Sequence, residues 1–75
     1  MPKLRRVSGE DAVRALERLG FMRGRQSGSH LILKKPSAQG EIVCVVPMHC
    51  ELAIGTLRGI LRQARVTPEE FADAL

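Results

Sequence analysis

Ser29-His30-Leu31-Ile32-Leu33-Lys34-Lys35 alternates between two sets of side chains. In an extended strand, Ser29, Leu31, Leu33 and Lys35 fall on one face and His30, Ile32 and Lys34 on the other. The leucine face is the one that can meet helices, so His30 and Lys34 share the opposite face. Upstream, Phe21 to Gln26 reads as a shorter strand with Arg23 and Arg25 on one face of the pleat, and Ser27-Gly28 reads as the turn between the two. Downstream, Pro36-Ser37-Ala38-Gln39-Gly40 reads as a turn and Glu41 to Val46 as a third strand, which Pro47 ends. Its run Ile42-Val43-Cys44-Val45-Val46 is apolar on both faces and needs cover on both sides. One layer of helices supplies one cover, and another chain supplies the second.

Helices flank these strands. Ser8 caps a helix that runs to about Leu19, with Asp11 completing an imperfect capping box. Ala12, Val13, Leu16 and Leu19 form its apolar stripe, Arg14, Glu17 and Arg18 face water, and Gly20 ends it. Met48 to Ile54 reads as irregular. Thr56 is expected to cap a second helix, Leu57 to about Ala64, with Leu57, Ile60, Leu61 and Ala64 inward and Arg58, Arg62 and Arg65 outward. Thr67, Pro68 and Glu70 predict a short terminal helix with a full capping box, and Val66 and Phe71 can staple its start. The order is helix, three antiparallel strands, helix, helical tail. This is an α+β architecture, one sheet with helices on one face.

The 75 residues make a single domain, 1–75, with ordinary apolar content of 44%. A chain this short buries only about 60% of its unfolded surface, so a partner or a homo-oligomer would help it. All twelve Lys and Arg lie in residues 1–65 against five acids, while residues 66–75 carry three acids and no base. A basic body with pI about 9.8 points to a polyanionic partner; solubility alone is the competing explanation. Two cysteines, Cys44 and Cys50, are too few for a disulfide scaffold. Lys3, Arg5 and Arg6 have no apolar stretch behind them, so no signal peptide is expected. No run reaches membrane-spanning length. The expected location is the reducing cytoplasm.

From Arg18 to Gly40 there is no acid, but there are Arg18, Arg23, Arg25, Lys34 and Lys35 around His30. Imidazole titrates near neutral pH and can give or take a proton there. Cations hold phosphates. Together they are the minimum equipment of a metal-independent ribonuclease: a base frees the 2′-hydroxyl, an acid protonates the leaving oxygen, and cations stabilise charge on phosphorus. The competing reading is a solvated basic face with an incidental histidine. His49 is a second acid or base, or a residue that caps a loop by hydrogen bonding. His49, Cys50, Cys44 and Glu51 match no standard zinc spacing, so no metal and no cofactor is expected. The only aromatic residues, Phe21 and Phe71, offer no platform for stacked bases, which favours contact through phosphates.

Three segments carry a resemblance. Arg25-Gln26-Ser27-Gly28-Ser29-His30, then Val45-Val46-Pro47-Met48-His49, then Gly55-Thr56-Leu57-Arg58-Gly59-Ile60-Leu61-Arg62-Gln63-Ala64 resemble the HicA toxin family, the YcfA/HicA-like mRNA interferases. The segments occur in family order and span nearly the whole chain. The resemblance implies a double-stranded-RNA-binding-like α-β-β-β-α fold. It also implies a toxin that cleaves mRNA as an endoribonuclease and is neutralised by a HicB-like antitoxin. The family's catalytic histidine matches His30, and its Pro-x-His element matches Pro47-Met48-His49. Two departures stand out. The family usually follows Gln-Ala with glycine where this chain has Arg65, which should cost on the order of 1 kcal/mol or shift the helix end. The loop from His49 to Gly55 is short.

The leading expectation is therefore a toxin ribonuclease with His30 as general acid or base. Arg23, Arg25, Lys34, Lys35, Arg58 and Arg62 would serve as RNA-binding residues. Two alternatives use the same scaffold. A non-catalytic RNA-binding module needs only the basic residues, and a protein-binding component needs only the open apolar face.

Overall fold

The computed structural model describes residues 4–75; Lys3, in the charged N-terminus, lies outside them. The elements run α1 (Gly9–Arg18), β1 (Met22–Ser27), β2 (His30–Ser37), β3 (Gly40–Pro47), α2 (Ile54–Ala64) and α3 (Pro68–Ala74). The three strands form one antiparallel sheet in the order β1-β2-β3. The helices lie on one face of it, giving the α+β order read from the sequence. Among the described residues no helix is long and apolar enough to cross a membrane.

The core sits between the sheet and the helices. Leu31 and Leu33 from β2 and Cys44 and Val46 from β3 meet Ala12, Val13, Ala15 and Leu16 of α1 and Leu57, Ile60, Leu61 and Ala64 of α2, all buried. Phe21 and Phe71 are buried too, so both aromatic rings serve the core. Strand β1 contributes no buried side chain. Its sequence has no apolar alternation, and it is a strand because β2 offers it a ladder.

Local chemistry sets the ends of the helices. Ser8 Oγ accepts from the Asp11 N–H at 3.0 Å and caps α1. Gly9, buried in the first turn, is there for close approach: a Cβ would collide with the Pro47 carbonyl oxygen and lie 2.8 Å from the Met48 Cα. Thr67 and Glu70 make the reciprocal capping box of α3, with Pro68 in its first turn.

Several boundaries differ from the sequence reading. Helix α2 starts at Ile54, with Ala53 at its N-cap and no side-chain cap, so Thr56 lies inside the helix. The reason is tertiary: Leu52 is buried and its N–H donates to the Val7 carbonyl at 2.7 Å, which fixes where the chain turns into the helix. The first hairpin turns at Gly28-Ser29, and the second only at Ala38-Gln39, because β2 continues through Pro36 and Ser37. Pro36 is tolerated there since β1 no longer pairs beyond Lys34. At the end of α2 the helix does not shift. Arg65 itself takes the left-handed conformation, φ 57° and ψ 41°, and the Val66 N–H donates to the Leu61 carbonyl at 3.0 Å.

Candidate nucleic-acid interface and active site

The register assigns the paired strand residues to faces. His30 is paired with Pro47 and with Ser27, Ile32 with Val45, and Lys34 with Val43 and Met22. Directly paired residues project to the same side, so these eight residues share the sheet face that no helix covers. That face is apolar in its middle. Ile32 and Val45 are half-buried, while Met22 and Val43 are 67% and 44% exposed. The double-sided apolar character of the third strand is thus real, and its outer side is open.

His30 begins β2 at one end of the sheet, and its side chain is exposed. The backbone around it is pinned. The Met48 N–H donates to the Ser29 carbonyl at 2.5 Å, and the Gln26 side-chain amide donates to the Gly28 carbonyl at 3.0 Å. His49 follows two residues after Pro47, at the same end, and is also exposed. The loop-holding role considered for it falls to its backbone: the His49 carbonyl accepts the Gly9 N–H at 2.8 Å, one of the donors that a helix start leaves without an internal partner.

The basic residues do not form one patch. The ladder skips a residue between Arg23 and Gln26, so Gly24 and Arg25 together oppose Ile32. Arg23 is in register with Leu33 on the helix side, and Gln26 with Leu31 on the same side. Arg25, next to Gln26, therefore falls on the histidine's side. The expectation that Arg23 and Arg25 share a face is corrected by this bulge. Arg23 turns instead to α1, where its guanidinium meets Glu10 at 2.5 Å and Glu17 at 3.2 Å. The hydrogen bond from Arg23 is the main reason the Glu10 carboxyl ionises below its ordinary range. Lys35 also lies on the helix side, its ammonium 5.8 Å from the Phe21 ring centroid. Arg58 and Arg62 project from α2 and, with Leu61, Val66 and Pro68, line a depression of about 230 Å³ on the helical layer. Of the six basic residues singled out in the sequence, Arg25 and Lys34 share the face of His30.

The cysteines and acids form no comparable centre. Cys44 is in the core, where burial pushes its thiol up to about 11, so it is not a nucleophile near neutral pH. Cys50 is exposed, and both are unpaired. Among the described residues no three His, Cys, Asp or Glu side chains gather in a group able to hold a metal. Two contacts were not readable in the sequence. One is the Glu10–Arg23–Glu17 cluster; spacing along the chain gives no sign that β1 lies over α1. The other is Gln63, whose Oε1 accepts the Val45 N–H at 3.2 Å and occupies part of the exposed edge of β3.

A family model for the HicA toxin of bacterial toxin–antitoxin systems matches residues 9–66. The chain belongs to the HicA toxin family. The match runs from the first residue of α1 to just past α2, and it contains His30, Pro47-Met48-His49 and the whole open face. A search among curated proteins returned no match. HicA proteins are the toxin half of toxin–antitoxin pairs, so a cognate antitoxin is the implied partner.

Proposed function

We propose that this HicA-family chain is a metal-independent endoribonuclease that cleaves mRNA, with His30 as general acid or base. The observation that carries the proposal is the placement of His30. It stands exposed at the rigid end of a ladder, on the same open face as Arg25 and Lys34, inside the segment that matches the family. A pinned backbone with a free ring suits proton transfer, which needs the group held within hydrogen-bond reach of the reacting oxygen. The 2′-hydroxyl of the substrate loses its proton and attacks phosphorus. The bond to the 5′-oxygen breaks, and that oxygen takes a proton. The products are a 2′,3′-cyclic phosphate and a 5′-hydroxyl. Arg25 and Lys34 hold the phosphates and offset charge on the phosphoryl oxygens. His49, at the same sheet end, is the candidate for the complementary proton transfer.

The open apolar face supports the second half of the proposal. A HicB-like antitoxin covers Ile32, Val43 and Val45 and in doing so shields His30. The two unpaired cysteines fit the reducing cytoplasm, where both partners and mRNA would meet.

A substrate with a single 2′-deoxynucleotide tests the chemistry. If the proposal holds, deoxy substitution at the scissile position stops cleavage there, chelator leaves the rate unchanged, and the products end in cyclic or 3′ phosphates. Cleavage that continues at the deoxy position would overturn it, because no internal nucleophile would remain.

A further inference from the structure

The helical layer carries a second basic feature, away from the open sheet face. The segment leading into α1, the outer side of α1 and the end of α3 enclose a cavity of about 380 Å³. Its wall holds Arg5, Arg6, Arg14 and Arg18, together with Val7, Leu75 and a single acid, Asp11. Asp11, Arg14 and Arg18 follow at helical spacing and form one stripe of α1. Arg5 and Arg6 come from the extended lead-in, so two elements contribute arginines to the wall of one space.

Structural duties occupy these arginines only in part. Arg18 Nη1 donates to the Ala74 carbonyl at 2.6 Å and finishes the end of α3. Arg6 meets Glu51 at 3.1 Å and Arg14 meets Glu10 at 3.3 Å, with both arginine side chains 62% exposed. Exposed pairs of this kind contribute little and can be exchanged for a stronger anion. None of the ion pairs among the described residues uses Arg5.

The lead-in segment that lines the cavity is tied to the loop at the histidine end of the sheet. Pro47 opposes His30, the His49 carbonyl accepts the Gly9 N–H, the Val7 carbonyl accepts the Leu52 N–H at 2.7 Å, and Arg6 lies against Glu51. The lead-in segment thus runs along the loop that leaves Pro47. The molecule measures 18 Å in its thinnest direction, so a short strand can pass from the sheet face to the helical layer.

We infer that this cavity is a second phosphate site for the same RNA, holding the backbone of nucleotides beyond the bond at His30. The inference rests on the reading of the chain as an RNA-cutting toxin and adds where the rest of the strand goes. Guanidinium forks match phosphate oxygens in pairs and read no base, so the site adds affinity and a minimum substrate length without sequence preference. RNA fits better than an acidic protein segment because four arginines dominate the wall and no aromatic side chain, the usual anchor of a protein interface, lines it.

The test is a binding measurement in the non-cleaving His30→Ala protein. The probes are a labelled RNA of about 12 nucleotides, within the roughly 4–16 that small single-strand-binding folds cover, and a dinucleotide too short to reach both sites. Arg5→Gln combined with Arg14→Gln removes two exposed charges. The ratio of 12-mer to dinucleotide affinity should fall on the order of tenfold, and the salt slope for the 12-mer should drop by about 1.4, or ~0.7 for each lost phosphate contact. The arginine Nε–H signals of Arg5 and Arg14 should shift when the 12-mer is added. An unchanged ratio and slope would overturn the site. Lost antitoxin binding with unchanged RNA affinity would also overturn it, assigning the cavity to a protein. Because the readout is binding without cleavage, failure here leaves the chemistry at His30 standing. A strand-length effect without 2′-hydroxyl chemistry would remove the cleavage proposal and leave the cavity.

Discussion

His30 on β2 and Pro47 on β3 stand directly opposite each other at the end of the sheet. The pairing ties the Gly28-Ser29-His30 turn to the exit of β3, and the Met48–Ser29 hydrogen bond closes it. The imidazole thereby projects from a backbone held on both sides, at the point where the chain passes from sheet to loop.

The split of the basic residues predicts unequal roles. Neutralising Arg25 and Lys34, on the histidine's face, should weaken binding to all RNA sequences alike and lower the slope of log affinity against log salt by about 1.4, ~0.7 for each phosphate contact. Neutralising Lys35, on the helix side, should change the slope less. A titration of RNA binding across a salt series decides it, and equal losses from all three positions would contradict the face assignment.

Arg23 should act on order in β1 more than on RNA. With no buried side chain, β1 is held by its ladder and by the Arg23 bridge to Glu10 and Glu17. Arg23→Gln should speed amide exchange in β1 and leave α1 protected. The same bridge gives a pH dependence. Glu10 ionises below its ordinary 4.5 when folded, so its contribution is present above about that pH and fades as pH falls through the lowered value. Glu70, whose carboxyl accepts the Thr67 N–H, behaves likewise. Acid titration of stability should show Glu10→Gln losing part of the decline below that range; an unchanged acid limb would contradict the bridge.

Arg65 holds a conformation that favours glycine, φ 57°. Arg65→Gly should stabilise the fold by about 1 kcal/mol, which in a domain of this size raises Tm by roughly 4–8 °C. Thermal unfolding checks this, and a lower Tm would show that the arginine's side chain outweighs the backbone strain.

Ile32 lies in the middle of the uncovered face, in register with Val45. Ile32→Glu should weaken capture by the cognate antitoxin far more than it lowers the Tm of the isolated chain. Hydrogen exchange of the complex should protect β2 and β3. Protection confined to the outer side of α2 around Arg58 and Arg62, with His30 still open, would contradict neutralisation by covering the sheet.

What the sequence disclosed follows from where its signals are local. The alternation around Leu31 and Leu33 gave the faces of β2 because the pleat has a fixed period. Ser8, Thr67 and Glu70 marked helix starts because caps act within three residues. The start of α2 was hidden because it is set by Leu52 packing and bonding to Val7, 45 residues earlier in the chain. The bulge beside Gly24 was equally hidden, although that glycine is a sign of it: a Cβ there would sit 3.1 Å from the Ile32 carbonyl oxygen. One unrecognised residue in the ladder was enough to move Arg23 away from His30. The position of His30 itself was legible, since it depends only on β2.

The central claim is that His30 moves a proton in RNA cleavage, and the most direct measurement is the single-turnover cleavage rate of the purified protein beside that of His30→Ala. The account predicts that the variant keeps its fold and Tm and loses about 100- to 10,000-fold in rate, the range general acid–base groups supply. A folded His30→Ala protein that cleaves at an undiminished rate would contradict it.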